Sequence, residues 1–264
     1  MEKSVVENIV KQSKAIEGWL SREAALLIGA LDTFQKSLSI TGDIFEIGVH
    51  HGKSAVLLNN LLQAPEMLHI CDIFDSQEDN VSGSGSGSRA IFEANLQKYS
   101  NQPLGKIHAC LSTDLTPDRV GKKRYRIFHI DGGHNKDEAL ADLTLAALCI
   151  MDQGILIVDD PFRYEWPGVT EAIIEFLQTH QEFTSIVVGF NKLILARKII
   201  AEQYKAFLDN ASSRSRFGLV TPISYKQLPF AGGQLRIFFI PSYVQNQRVG
   251  LVSKVIRKIK GSFG

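Results

Sequence analysis

The sequence predicts an α/β fold, a mainly parallel seven-stranded sheet with helices on both faces, and three observations carry that reading. Seven short apolar runs follow one another from Asp43 onward: IFEIGV, LHICDIF, KIHACL, YRIFHID, GILIVDD, SIVVGF and KLILARK. Most are apolar throughout rather than alternating, as strands buried on both faces must be. Between them lie segments with apolar residues at helical spacing, Lys53 to Leu62, Ser88 to Tyr99, Asp137 to Met151 and Val169 to Thr179.

Ahead of the first strand, Ser4 to Ser37 contains no proline and places Val5, Ile9, Trp19, Leu20, Leu27, Leu31 and Phe34 at helical spacing, which predicts two N-terminal helices. After Lys198 come a helix from Ala201 to Asn210, strand-like LRIFFIP and a basic amphipathic stretch, VSKVIRKIK. The chain therefore divides into an N-terminal helical segment (1–40), a central ligand-binding domain (41–198) and a small basic C-terminal appendage (199–264). One stretch breaks the regularity: SGSGSGS, Ser82 to Ser88, cannot pack a core and follows the second strand. At that position a lid over the ligand cleft and a plain linker are both open readings.

A chain of 264 residues with 44% hydrophobic and 22% charged content suits one α/β domain with appendages. Cys71, Cys110 and Cys149 are odd in number and far apart, which argues against a disulfide framework and for a reducing cytoplasm. The opening MEKSVVENIVKQSK is too polar for a secretory signal, and the apolar run Ala24 to Leu31 is too short to span a bilayer. No stable membrane association is expected. From Ile199 onward there are 10 Lys/Arg against 2 Asp/Glu, net +8, leaving 19 against 26, net −7, before it. A basic tail on an acidic core can dock on that core or attract anionic partners; no specific nucleic-acid binding is expected of it.

The chemistry gathers at strand ends. Gly48 and Gly52, in IFEIGVHHGKSA, lie where a strand turns into a helix whose free N–H groups can meet a carboxylate. A tight turn with no ligand would use the same glycines, and the spacing is not the G-x-G-x-x-G of dinucleotide enzymes. Asp72 ends the second run, where a carboxylate can accept hydrogen bonds from both ribose hydroxyls of a nucleoside. Ser112, after the third run, either borders an adenine or is an ordinary turn serine. Asp131 ends RIFHID, His134 follows three residues later, and Asp159-Asp160 end GILIVDD. Parallel strands carry their ends to one edge, so these groups converge on the Gly48 turn. Three carboxylates around one cleft repel unless a cation sits between them, and oxygen ligands suit magnesium or a similar divalent ion. Singly, His134 could cap its helix and the aspartate pair could be a solvated turn before Pro161.

In FEIGVHHGKSA, HIDGGHNKDEALADL and GILIVDDPFRYEWPGVTEAI the sequence resembles the class I, metal-dependent O-methyltransferases, especially the macrolide-sugar enzymes, and in its first motif catechol O-methyltransferase. The resemblance spans about Thr41 to Lys198. It implies a Rossmann-like class I fold and S-adenosylmethionine as cofactor, bound by Glu46, Gly48, Gly52, Ser54, Asp72, Ser112 and Asp131. It also implies a divalent metal, magnesium first, on Asp131, Asp159 and Asp160, with His134 as catalytic base. Some sugar enzymes have glutamate at the position of Asp159, and catechol enzymes have lysine at that of His134, so the histidine favours the sugar type. The tail after Lys198 has no counterpart in this pattern, which leaves a homo-oligomer as an open expectation.

These parts predict transfer of the sulfonium methyl to a hydroxyl of a small molecule. The metal lowers the hydroxyl's pKa and His134 takes the proton. Two vicinal oxygens could chelate one ion, which points to a sugar or another diol; Arg163, Tyr164 and Trp166 follow the acidic pair and are expected on the acceptor side. Three rival readings exist: transfer to nitrogen or carboxylate with a structural acidic cluster, a non-catalytic cofactor-binding scaffold, and a nicotinamide oxidoreductase.

Overall fold

In the computed structural model, residues 3–80, 83–100, 102–220 and 223–241 are described. Two helices lead in, α1 (Lys3–Gln12) and α2 (Arg22–Ser37). Ser21 starts α2 by accepting a hydrogen bond from the Ala24 amide at 3.0 Å, satisfying one of the donors that a helix N-terminus leaves open. The chain then alternates: β1 (Asp43–Ile47), α3 (Lys53–Asn60), β2 (Leu68–Asp72), α4 (Arg89–Tyr99), β3 (Leu104–Ala109), the single turn α5 (Pro117–Val120), β4 (Tyr125–Ile130), α6 (Lys136–Cys149), β5 (Ile150–Asp159) and α7 (Pro167–Thr179). It closes with β6 (Phe183–Gly189), β7 (Lys192–Arg197), α8 (Lys198–Asp209), α9 (Ala211–Arg216), β8 (Ser224–Phe230) and β9 (Gly233–Phe239).

The α/β class expected from the sequence holds, but among the described residues the sheet has nine strands rather than seven, in the order β3-β2-β1-β4-β5-β7-β6-β9-β8. Strands β1 to β5 are parallel to one another; β7 is antiparallel to both β5 and β6. The two additional strands come from the C-terminal region. LRIFFIP supplies most of β9, which pairs parallel with β6 at Val187↔Arg236 and Gly189↔Phe238, and β8 pairs antiparallel with β9. Nothing in SYKQLPF announces a strand, because β8 is largely exposed and its sequence needs no apolar face. The amphipathic stretch VSKVIRKIK and the expectations attached to it lie outside the described residues.

Both faces of the central strands are dry. Ile44, Ile127, Ile155, Ile157 and Ile194 pack with α1, α2, α3 and α8, while Phe45, Phe128, Leu156, Val158 and Leu195 pack with α6 and α7. That is the period-2 consequence of strands apolar on every residue.

One buried polar knot crosses this core. Arg126 of β4 is fully buried and bonds Asp32 at 2.9 Å, Glu66 at 2.8 and 2.9 Å, and the Gln35 side chain at 2.9 Å. It fastens α2 and the segment before β2 to the middle of the sheet. Among the described residues no helix is long and apolar enough to cross a membrane.

Candidate active site

Strand order reverses between β1 and β4, and at such a switch point the connections after the two strands leave to opposite faces, opening a crevice at the carboxyl ends. A cavity of about 560 Å³ lies there, a size that suits a nucleoside with room beside it. Its lining runs from Trp19 and His50 past Gly48, Asp72 and Ser112 to Asp131, His134, Asp159 and Asp160.

At the first end, Oδ2 of Asp72 accepts the backbone N–H of Val49 (2.7 Å) and of His50 (2.9 Å), and Oδ1 accepts that of Phe74 (2.6 Å). The carboxylate thus shapes the turn after β1, and one acceptor site on Oδ1 remains open to a ribose hydroxyl. Gly48 has φ +78°, and a Cβ there would stand 1.7 Å from the Asp131 carbonyl oxygen; glycine is required for β1 to seat against the end of β4. Gly52, at φ +89°, would meet the Phe92 ring at 2.9 Å, so it serves the packing of α3 against α4. Gly83, Ser84, Gly85 and Gly87 of the glycine-serine segment also line the cavity, with Gly87 passing close to Asp72.

Not every sequence-expected residue reaches this space. Gly52 and Ser54 do not line the cavity, nor does Glu46. Glu46 is fully buried in β1, its Oε1 2.8 Å from Nδ1 of His129 on β4; Oε2 of Glu46 and Nε2 of His129 have no hydrogen-bond partner among the described residues. Ser112 borders the cavity beside Cys71 and Cys110. Asp142 of α6 lies behind this wall, where burial pushes its carboxyl up to about 7; the Ser112 hydroxyl opposes the shift and Glu138 adds to it.

At the other end the acidic groups converge. Asp131, His134 and Asp160 present ligand atoms within 4.8 Å of one another, and so do His129, Asp131 and Asp159. His134 does not cap α6; Asn135 does, accepting from the Glu138 amide at 2.9 Å. The imidazole is held instead by Asp160, with Nε2 3.1 Å from Oδ2, and by the Trp166 ring at 4.5 Å between centroids. Its Nδ1 has no partner among the described residues. Asp160 adopts φ +53°, a left-handed backbone that aspartate tolerates better than most residues. Burial works to raise its carboxyl, but hydrogen bonds from His134 and Asn191 and the charge of Arg163 hold it below the ordinary value. Asp131 has no such surplus of donors. Burial, with Asp159 beside it, drives its carboxyl well above the usual range against the pull of Lys192.

Lys192 and Asn191 were not legible as site residues. They follow the β6–β7 turn, and because β7 is antiparallel, its first residue falls at the same edge as the last residue of β5, in register Asp159↔Lys192. The buried Lys192 ammonium bonds Oδ2 of Asp159, and Asn191 donates to Oδ1 of Asp159 (3.0 Å) and Oδ1 of Asp160 (2.5 Å). Burial would lower the lysine, yet Asp159 and Asp131 raise it above its ordinary value. Part of the positive charge that three carboxylates demand is therefore built into the chain. Of the expected acceptor-side residues, Arg163 and Trp166 line the cavity, and Tyr164 is exposed outside it.

Residues 45–161 match the methyltransferase domain family. The fold is similar to that of the O-methyltransferase NovP (TM-score 0.54, 17% identity, 65% of this chain and 78% of that one). It is also similar to the cofactor-bound Rv0187 from MTB (TM-score 0.50, 12% identity, 74% and 88%) and to a protein from Corynebacterium glutamicum (TM-score 0.50, 12% identity, 74% and 89%). No curated protein sequence matches. The chain's fold is that of the class I methyltransferases, and the enzyme class read from the sequence, a methyltransferase, stands.

Proposed function

We propose that this protein is an S-adenosylmethionine-dependent O-methyltransferase that uses a divalent metal and acts on a hydroxyl of a small molecule, a sugar or another diol. The observation that carries the reading is the composition of one cavity. An adenosine-type wall with Asp72 at one end faces a histidine–carboxylate pair set among further acidic groups at the other.

The donor set fits a hard divalent ion. Carboxylate oxygens of Asp131 and Asp160 and the His134 imidazole lie within ligand spacing of one another. When bound, the ion would act as a Lewis acid that makes an acceptor hydroxyl easier to deprotonate. The chain's own part is proton handling and positioning. With Nε2–H donated to Asp160, the lone pair of His134 falls on Nδ1, which is free to take a proton from the acceptor. Asp160 then stabilises the imidazolium, and Trp166 fixes the ring's plane. Arg163 and Trp166 bound the acceptor side. A soluble protein of a reducing compartment suits the three free cysteines.

The experiment is calorimetry with S-adenosylhomocysteine and NAD, followed by a panel of sugars, catechols, monohydric alcohols, amines and carboxylates with methyl-labelled cofactor. S-adenosylhomocysteine should bind and NAD should not, with label passing to diols. Tighter binding of NAD, or labelling confined to amines and carboxylates, sinks the proposal.

A further inference from the structure

The acidic edge of the sheet contains two overlapping sets of ligand atoms that share Asp131, and they differ in their cations: the inner set meets a buried ammonium, the outer only the partly exposed Arg163, 3.3 Å from Asp160. His129, Asp131 and Asp159 form the inner set, Asp131, His134 and Asp160 the outer. Against the inner set stands Lys192, whose ammonium, with its side chain 3% exposed, bonds Asp159 Oδ2. Asp159 Oδ1 is meanwhile occupied by the Asn191 side chain and by the Asp160 backbone amide at 2.9 Å. Asp160 is likewise bonded at both oxygens, by His134, Asn191 and Arg163, but Arg163 is 41% exposed and can turn out to solvent, whereas the buried ammonium on Asp159 cannot.

We propose that Lys192 is a resident cation that takes Asp159 out of the metal-ligand set, so that a divalent ion binds on Asp131 and Asp160, beside His134, and binds singly. The inference rests on the metal reading above only for the ion in the parent protein. The physical reason is competition. The Lys192 ammonium, bonded to Asp159, repels a divalent ion that would share that carboxylate, which disfavours a second ion in the inner set. The inner set is otherwise suited to one: it has two carboxylates and the buried His129, whose Nε2 has no partner among the described residues and whose Nδ1 is oriented by Glu46. Lys192 is thus a positioning residue. It spends its charge on Asp159 and Asp131, and leaves Asp160 to His134.

The test is manganese binding, read by electron paramagnetic resonance and calorimetry on the full chain without acceptor. Lys192→Met should bind Mn²⁺ ten- to a hundredfold more tightly than the parent or take up a second ion, and Lys192→Arg should return the parent's behaviour. Lys192→Met leaves two buried carboxylates uncompensated and risks misfolding, so the neutral pair Asp159→Asn/Lys192→Met is the second arm. It should hold one Mn²⁺ within a few-fold of the parent, while Asp160→Asn loses it. Unchanged or weaker binding by a folded Lys192→Met, or loss of the ion from the double variant, overturns the proposal. If the parent binds no Mn²⁺ at all, the metal part of the proposed function falls; the lysine assignment then stands if Lys192→Met gains an ion and falls if it does not.

Discussion

Replacing His134 by alanine should lower turnover by a factor on the order of 10² to 10⁴, while S-adenosylhomocysteine binding stays within a few-fold of the parent. The size follows from what the imidazole does in the proposed reaction. An alcohol must lose its proton as the methyl group is transferred, and His134 has a free, buried Nδ1 with its other nitrogen anchored on Asp160. Alanine removes the acceptor of that proton and leaves the adenosine end of the cavity untouched. Stability should change little, because the cap of α6 is Asn135. Steady-state kinetics at saturating metal, paired with calorimetry, separates the effects. Near-parental turnover in a folded His134→Ala protein would remove the base assignment.

The second large effect is on stability. Arg126→Met should cost about 3 kcal/mol, lowering Tm by roughly 6–12 °C in a chain of this size. Removing the guanidinium leaves Asp32 and Glu66 buried without their main counter-charge. The loss falls toward the low end of the range for a broken buried pair because other donors remain. Lys36 still pairs with Asp32 at 2.8 Å, and Glu66 still accepts the amides of Gly42 (3.0 Å) and Gln63 (2.9 Å). Thermal unfolding followed by circular dichroism checks this, and a drop below about 1 kcal/mol would show the knot to be loosely coupled.

The helices between the parallel strands were legible because period-2 and period-3.6 patterns differ and each strand is buried on both faces. α6 begins at Lys136 and α7 at Pro167, within two residues of the expected starts. The strand ends were legible for the same reason, and with them the convergence of Asp72, Asp131, His134 and the aspartate pair. Two things escaped. β8 carries no apolar face that a pattern could reveal, and the strand-like LRIFFIP, read as part of an appendage, joins the sheet as β9, so the sheet came out two strands short. Lys192 escaped because KLILARK reads as an ordinary strand opening on a charged residue. Only its antiparallel entry, beside Asp159, turns that residue inward. Glycine chemistry was legible as a tight turn, but the reason for Gly48 is the Asp131 carbonyl against it, a tertiary contact no local motif encodes.

The pairing of β9 with β6 also decides which edge the protein shows to its surroundings. Without the C-terminal hairpin, the rim of the sheet would be FTSIVVG of β6, an uncharged and mostly apolar strand with open backbone donors and acceptors. Such an edge is a template for pairing with other chains. With the hairpin in place the rim is β8, which carries Lys226 and Pro229, a charge and a missing N–H that discourage further strand addition. A chain cut after Val220, which keeps α8 and α9 but loses the hairpin, should therefore aggregate in light-scattering measurements, even with every residue that lines the cavity retained. A long-lived, dispersed truncated protein would show that β6 is guarded by something else.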